Sequence, residues 1–407
     1  MKVSSLFLGA GLLLLACEGL DGGDTAGSFR SDRLPPASDD THLLHTDTTL
    51  YLSAVRVNEG YDWHRDTACG ASECQLMLLR NYEPVCSFPT GYRHCVSTDP
   101  DTHHLLGGHL YTEFSTTTET VIKCDGRELF RYPGREILKG LVFRSDGGLY
   151  TLGQNRSGDG CTLRRNGVVL FRSEEGRIIG DFSHPASKGT GALYEVDGHL
   201  YWAFFSSAGS RTDCCLVKDN YATSITLPER ARVIQDLRMG ADGPCLLYTD
   251  LIRIALRCPD GKTLTVSDPL WQSAWIADPA RRAVFAELGL GGDSSGMGFL
   301  YEPGHELQRL TAGGNSIYLL PSGGCAWVRV PSAGTVQMLG PQGQTAAQEE
   351  CLFFSRSCAA VAGDRMWVAL SPYGKDTRPM VWDGNSCREL EMEGFLSGLE
   401  VVLTPSR

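Results

Sequence analysis

The sequence predicts an all-β fold of the propeller class, and three observations carry that expectation. A turn-type or polar residue, an aliphatic residue and an aromatic residue open a short apolar strand at Leu50-Tyr51, Leu110-Tyr111, Leu149-Tyr150, Leu200-Tyr201, Leu247-Tyr248, Val284-Phe285, Ala326-Trp327 and Met366-Trp367. The aromatic positions lie 37 to 60 residues apart, with a mean near 45, which is the length of one propeller blade when the interval is filled by short strands. No interval holds an apolar period of 3.6 long enough for an α/β unit.

The unit around Tyr150 shows how each interval is filled. Leu138 to Phe143 forms a first strand, Leu149-Tyr150-Thr151-Leu152 a second, Cys161 to Arg165 a third and Val168 to Arg172 the outermost. Asp146-Gly147-Gly148 and Asn166-Gly167 supply the tight turns between them. Equivalent outer strands are Glu128 to Arg131, Lys262 to Val266 and Glu306 to Leu310, each behind a Gly-containing turn. Phe395-Leu396-Ser397-Gly398-Leu399 matches Ile137-Leu138-Lys139-Gly140-Leu141, a first strand, yet the strand that should follow it is missing. The first unit, beginning at Leu50-Tyr51, lacks a first strand. The two deficits complement each other, so the last strand is expected to complete the first blade and close the ring without an exposed sheet edge. Eight blades are expected, or seven if the Gly-rich stretch Asn315 to Gln348 is a fragment.

Ahead of the repeat, Lys2 precedes an apolar run from Leu6 to Leu15 that ends in Leu14-Leu15-Ala16-Cys17. About ten apolar residues are too few to span a bilayer. The pattern resembles a bacterial lipoprotein signal peptide, which implies cleavage before Cys17 and acylation of its thiol. Residues 1–16 are then a leader, 17–47 a Gly-, Asp-, Ser- and Pro-rich tether, and 48–407 a single propeller domain.

Setting Cys17 aside leaves 14 of 15 cysteines, an even number that suits disulfides in an exported chain. The short-range pairs Cys69 with Cys74, Cys86 with Cys95, Cys245 with Cys258 and Cys351 with Cys358 are the candidates. Their spacing is not that of a zinc site. The net charge of −11 argues against nucleic acid as a partner.

Candidate binding elements are the places where the repeat is broken. Asn58 to Glu73 is an insertion in the first unit carrying Tyr61, Trp63 and His64. His103, His104 and His109 form the densest histidine group, though without supporting acids they read as a polar loop before a strand rather than a metal centre. His199 stands where His109 does in its own unit, just ahead of Leu-Tyr, which points to a structural part for both. The Asp-Gly pairs at 146–147, 197–198 and 242–243 read as turns, not calcium loops. No His-Glu-x-x-His or phosphate-binding glycine loop is present, and no cofactor is implied.

Over Thr48 to Arg407, with its lipobox, the chain resembles the exported β-propeller lipoproteins of bacteria. That resemblance implies a monomeric ring tied by Cys17 to an envelope membrane, facing the periplasm or the cell surface, and offering its loops to a protein or glycan. A non-enzymatic binding or scaffold module is the first expectation. A propeller hydrolase or lyase acting on an extracellular polysaccharide or peptide is the second.

Overall fold

The computed structural model describes residues 46–58, 74–89, 103–115, 118–144, 146–155, 160–179, 190–208, 211–228, 231–240, 242–250, 253–266, 271–278, 283–288, 296–300, 308–314, 316–320, 325–332, 334–340, 345–352, 358–373 and 378–405. Among them every regular element of any length is a β-strand, and the strands form eight antiparallel sheets of four or five strands each. The architecture is an all-β repeat.

The third sheet shows the plan. Its strands Glu136–Phe143, Leu149–Asn155, Cys161–Arg165 and Val168–Ser173 lie side by side in chain order, as the turn residues dictate. Burial falls from the second strand, whose first six residues are all buried, to the fourth, where Val168, Val169 and Leu170 are exposed. We call the first and fourth strands of each sheet leading and trailing. The weak stretch near Asn315 is a full sheet of the same kind, built from Ser316–Leu319, Cys325–Ser332, Thr335–Leu339 and Thr345–Glu349.

The first sheet takes its leading strand from the far end of the chain. Gly394–Pro405 pairs antiparallel with Thr46–Val57, joining Leu52 to Leu399 and Val55 to Phe395, and Cys74–Arg80 and Glu83–Pro89 complete the sheet. A β-bulge between Ser53 and Ala54 takes up one residue of the register.

The apolar cores sit between consecutive sheets. Tyr111, Ile122 and Tyr132 of the second sheet pack on Leu138, Leu141 and Leu149 of the third. Tyr150, Leu152 and Leu163 of the third pack on Leu200, Trp202 and Phe204 of the fourth. Leu50, Leu52 and Leu396 of the first pack on Ala369 and Val381 of the eighth. The repeated aromatic thus serves the contact between neighbouring sheets wherever its side chain is described.

A shared turn explains why the repeat opens with Leu and an aromatic. Asn81, Asp125, Asn166 and Asp219 each adopt a φ of 49° to 55°, which Asn and Asp tolerate better than other side chains. Their side-chain oxygens accept the N–H of Leu50, Leu110, Leu149 and Leu200 at 2.8 to 3.0 Å. Their own N–H groups donate back to the carbonyls of the same four leucines. Gly126 and Gly167 follow at φ of +80° and +81°, and a Cβ there would press on Phe88 and Phe130 of the preceding sheet at 2.9 and 3.1 Å. Glycine at those two turns lets one sheet rest on the next.

Polar side chains also stitch sheet to sheet. Glu113 accepts the N–H of Leu138, Gln154 that of Ile178, Asp236 that of Ile276 and Ser371 that of Leu396, at 2.6 to 3.0 Å. Each bond occupies a leading-strand donor that would otherwise be buried unpaired.

The predicted pair Cys351 with Cys358 is not joined. Cys351 belongs to the core between the seventh and eighth sheets and Cys358 to the core between the eighth and first, so the two thiols face opposite sides of one sheet. The Cys351 thiol donates to the carbonyl of Glu349, and that of Cys358 to the carbonyl of Leu396. The predicted pair Cys245 with Cys258 is not joined either, although the register that sets Leu246 against Arg257 brings the two alongside each other, both buried.

Candidate functional site

The insertion residues Tyr61, Trp63 and His64, together with Cys17, Cys69 and Cys95, lie outside the described residues. Cys74 is buried at the start of its strand, and Cys86, a thiol, is half-buried on the trailing strand of the first sheet.

The three clustered histidines are separated by the fold. His103 and His104 are on the leading strand His103–Leu106 of the second sheet, whereas His109 opens the next strand beyond the turn. Alternation along the strand sends the first two to opposite faces. His103 Nε2 lies 2.9 Å from Ser397 Oγ on the leading strand of the first sheet. Ser397 Oγ in turn donates to Ser53, whose Oγ and carbonyl oxygen stand 3.1 and 3.3 Å away. His104 turns towards the third sheet and hydrogen-bonds the Leu138 backbone, and burial pushes its pKa down to about 4. Its Nε2 is buried without a partner among the described residues.

His109 does neither. Its Nδ1 lies 2.7 Å from Asp125 Oδ2, on the carboxylate that caps Leu110, and His199 repeats the arrangement with Asp219 at 2.9 Å. The shared repeat position therefore corresponds to one structural device used twice.

What the fold assembles instead is a largely buried polar chain where the first two sheets meet. His103, half-buried, Ser397 and Ser53 are linked in it by hydrogen bonds. Below it, the Glu400 carboxylate accepts the N–H groups of Gly107 and Gly108 at 2.8 and 2.9 Å, holding the turn after His103–Leu106 against the first sheet. Ser397 and Ser53 carry no motif that marks them in the sequence. One signal was available: Ser397 occupies the place of Lys139 in the matching strand, so that position is polar in both copies.

The strongly paired charges are structural. Glu136 and Arg164 are both buried and share two hydrogen bonds of 2.6 and 2.7 Å, with the Tyr132 ring 3.8 Å from the guanidinium carbon. Asp236 and Arg238 form a second buried pair at 3.2 Å, and the Arg238 guanidinium lies 4.8 Å from the Tyr194 ring. These groups lie inside the sheet stack and already have partners, so they serve packing and not chemistry.

No family model matches the chain, and no curated protein matches it. Among solved structures it is similar to virginiamycin B lyase from Staphylococcus aureus, at 12% identity and a TM-score of 0.36, covering 63% of this chain and 84% of that one. It is also similar to a protein of unknown function from Bacteroides caccae, at 12% identity and a TM-score of 0.33, covering 59% and 93%. A structure described as the eukaryotic initiation factor gives 10% identity and a TM-score of 0.38, covering 86% and 98%. These likenesses assign no family.

Proposed function

We propose that the eight sheets are the blades of one closed propeller, held at a bacterial envelope membrane by acylated Cys17, and that its leading-strand surface binds a protein or glycan without transforming it. The pairing of Gly394–Pro405 with Thr46–Val57 and the core shared by the eighth and first sheets support the ring. The observation that carries the binding role is the half-buried His103 imidazole, held from beneath by the buried Ser397 and Ser53 where two sheets meet, while the buried ion pairs are spent on packing. An imidazole fixed in place at a sheet junction suits a hydroxyl-rich glycan or a peptide backbone. The bonded state of Cys74 supports an oxidised, exported chain with a Cys69–Cys74 bridge.

The test is affinity capture from envelope extracts with the domain lacking Cys17. A ligand retained by the parent and lost from a His103→Ala, Ser397→Ala variant supports the assignment; equal retention by both refutes it. Replacing Cys17 by Ser should release the full-length protein from membranes, and persistent association would exclude lipid as the anchor.

A further inference from the structure

We infer that His109, Cys124 and Asp125 form a binding site for one divalent transition-metal ion at the turn end of the second sheet. One Nδ1, one Sγ and one carboxylate oxygen from these residues all lie within 4.8 Å of one another. Within that set His109 Nδ1 to Asp125 Oδ2 measures 2.7 Å and Cys124 Sγ to Asp125 Oδ2 3.7 Å. Donors sharing a zinc-sized ion at roughly 2.0 to 2.3 Å stand about 3 to 4 Å apart, so the set needs only small adjustments to close on one ion. Imidazole nitrogen with thiolate sulfur selects zinc, cobalt or copper over magnesium or calcium.

The second observation comes from the repeat itself. The residue opposite the opening aromatic is a cation in three of the first four sheets: Arg80 faces Tyr51, Arg165 faces Tyr150 and Lys218 faces Tyr201. In the second sheet Cys124 takes that place opposite Tyr111. Where the side-chain geometry is described, the cation lies over the ring, with Arg165 at 5.9 Å and Lys218 at 6.0 Å. The fourth sheet holds the same His–Asp pair, His199 with Asp219, beside Lys218 and not a thiol. The histidine and the acid therefore belong to the turn, and the thiol is the departure that turns one copy into a ligand set. A bound cation would restore the positive charge that the other copies carry at this position.

Access and charge agree with the assignment. The His109 side chain is 56% exposed and that of Asp125 27%, so an ion can enter from solvent and keep a fourth position for water or another ligand. Burial and the neighbouring Asp125 carboxylate push the Cys124 thiol up to about 11, and a bound cation would reverse that by stabilising the thiolate. Binding releases the Cys124 thiol proton to solvent, and His109 takes the tautomer with its proton on Nε2, so that Nδ1, the thiolate and the carboxylate turn lone pairs to the ion. The thiol of Cys86, on the first sheet, is near enough for Asp125 to raise its pKa, which makes a Cys86–Cys124 disulfide the competing fate of this sulfur.

The experiment titrates the reduced chain lacking Cys17 with cobalt(II) and follows thiolate-to-cobalt charge-transfer absorption. One equivalent is expected to bind with that absorption; Cys124→Ser should abolish the band, and His109→Ala should weaken binding about tenfold or more. His199→Ala, which breaks the same turn device without a thiol, should leave the titration unchanged. No uptake by the parent, a band that survives Cys124→Ser, or peptide mapping that finds Cys86 joined to Cys124 in the protein as isolated would each overturn the assignment.

Discussion

Replacing Arg164 by Met tests whether the buried ion pair is a structural anchor. Both partners are almost wholly enclosed, with side-chain exposures of 3% and 2%. The substitution preserves much of the stem's volume but removes both hydrogen bonds to Glu136 and the cation beside the Tyr132 ring. Glu136 keeps the weaker bond from the Thr162 hydroxyl at 3.3 Å. Breaking a buried pair from one side costs about 3–5 kcal/mol, because the remaining charge is left without compensation. Urea unfolding followed by tryptophan fluorescence should show that loss as a midpoint lower by about 1 M or more, taking an m-value of about 3 kcal/mol/M. A Glu136→Gln, Arg164→Met double variant should recover at least half of the loss, since the amide carries no charge. A single variant within about 1 kcal/mol of the parent, or a double variant no more stable than the single, would refute the assignment of this pair to the core.

His104 makes stability depend on pH. Its folded pKa, depressed from 6.5 to about 4, means that the unfolded state binds the proton first as pH falls, so stability should decline by about 3 kcal/mol between pH 6.5 and 4. In a His104→Leu variant this component should disappear from the thermal melts; an unchanged pH profile would contradict burial of the neutral ring. Deleting Phe395 to Arg407 removes three buried apolar side chains, Phe395, Leu396 and Leu399, with the partner of Thr46–Val57, and should abolish cooperative unfolding in calorimetry. Gly108→Ala should cost about 1–3 kcal/mol, since φ is +77° and the new Cβ would lie 2.5 Å from the Tyr51 ring; an unshifted melting temperature would argue against that contact.

Much of the fold was readable in the sequence because local chemistry and global architecture coincide. The Leu-aromatic openings mark second strands, and at Leu50, Leu110, Leu149 and Leu200 the Leu is the residue that an Asn or Asp turn clasps. The likeness of Phe395–Leu399 to Ile137–Leu141 marked it as a leading strand, and it serves as one for Thr46–Val57. The site was far less readable. Adjacency of His103, His104 and His109 suggested a cluster, but strand alternation and one turn send them to Ser397, Leu138 and Asp125. Conversely, His103 meets Ser397 across 294 positions, a proximity set by the pairing of the chain ends and invisible to any local pattern. Cys351 and Cys358 misled for the same reason: seven positions apart in the sequence, they face opposite sides of one sheet. Cys124 gains its meaning only beside Arg80, Arg165 and Lys218, once register shows that all four answer the same aromatic.

The clasp between Thr46–Val57 and Gly394–Pro405 also sets the order of manufacture. The earliest ordered strand leaves the ribosome some 340 residues before its partner, and closing a loop of that length costs about 5 kcal/mol in chain entropy. Until then the growing polypeptide carries a naked edge flanked by Leu50, Leu52 and Val55, the kind of edge that recruits another strand. A cell making this protein must shield that edge for the whole of synthesis, so its yield should depend on a holding chaperone more than its final stability would suggest.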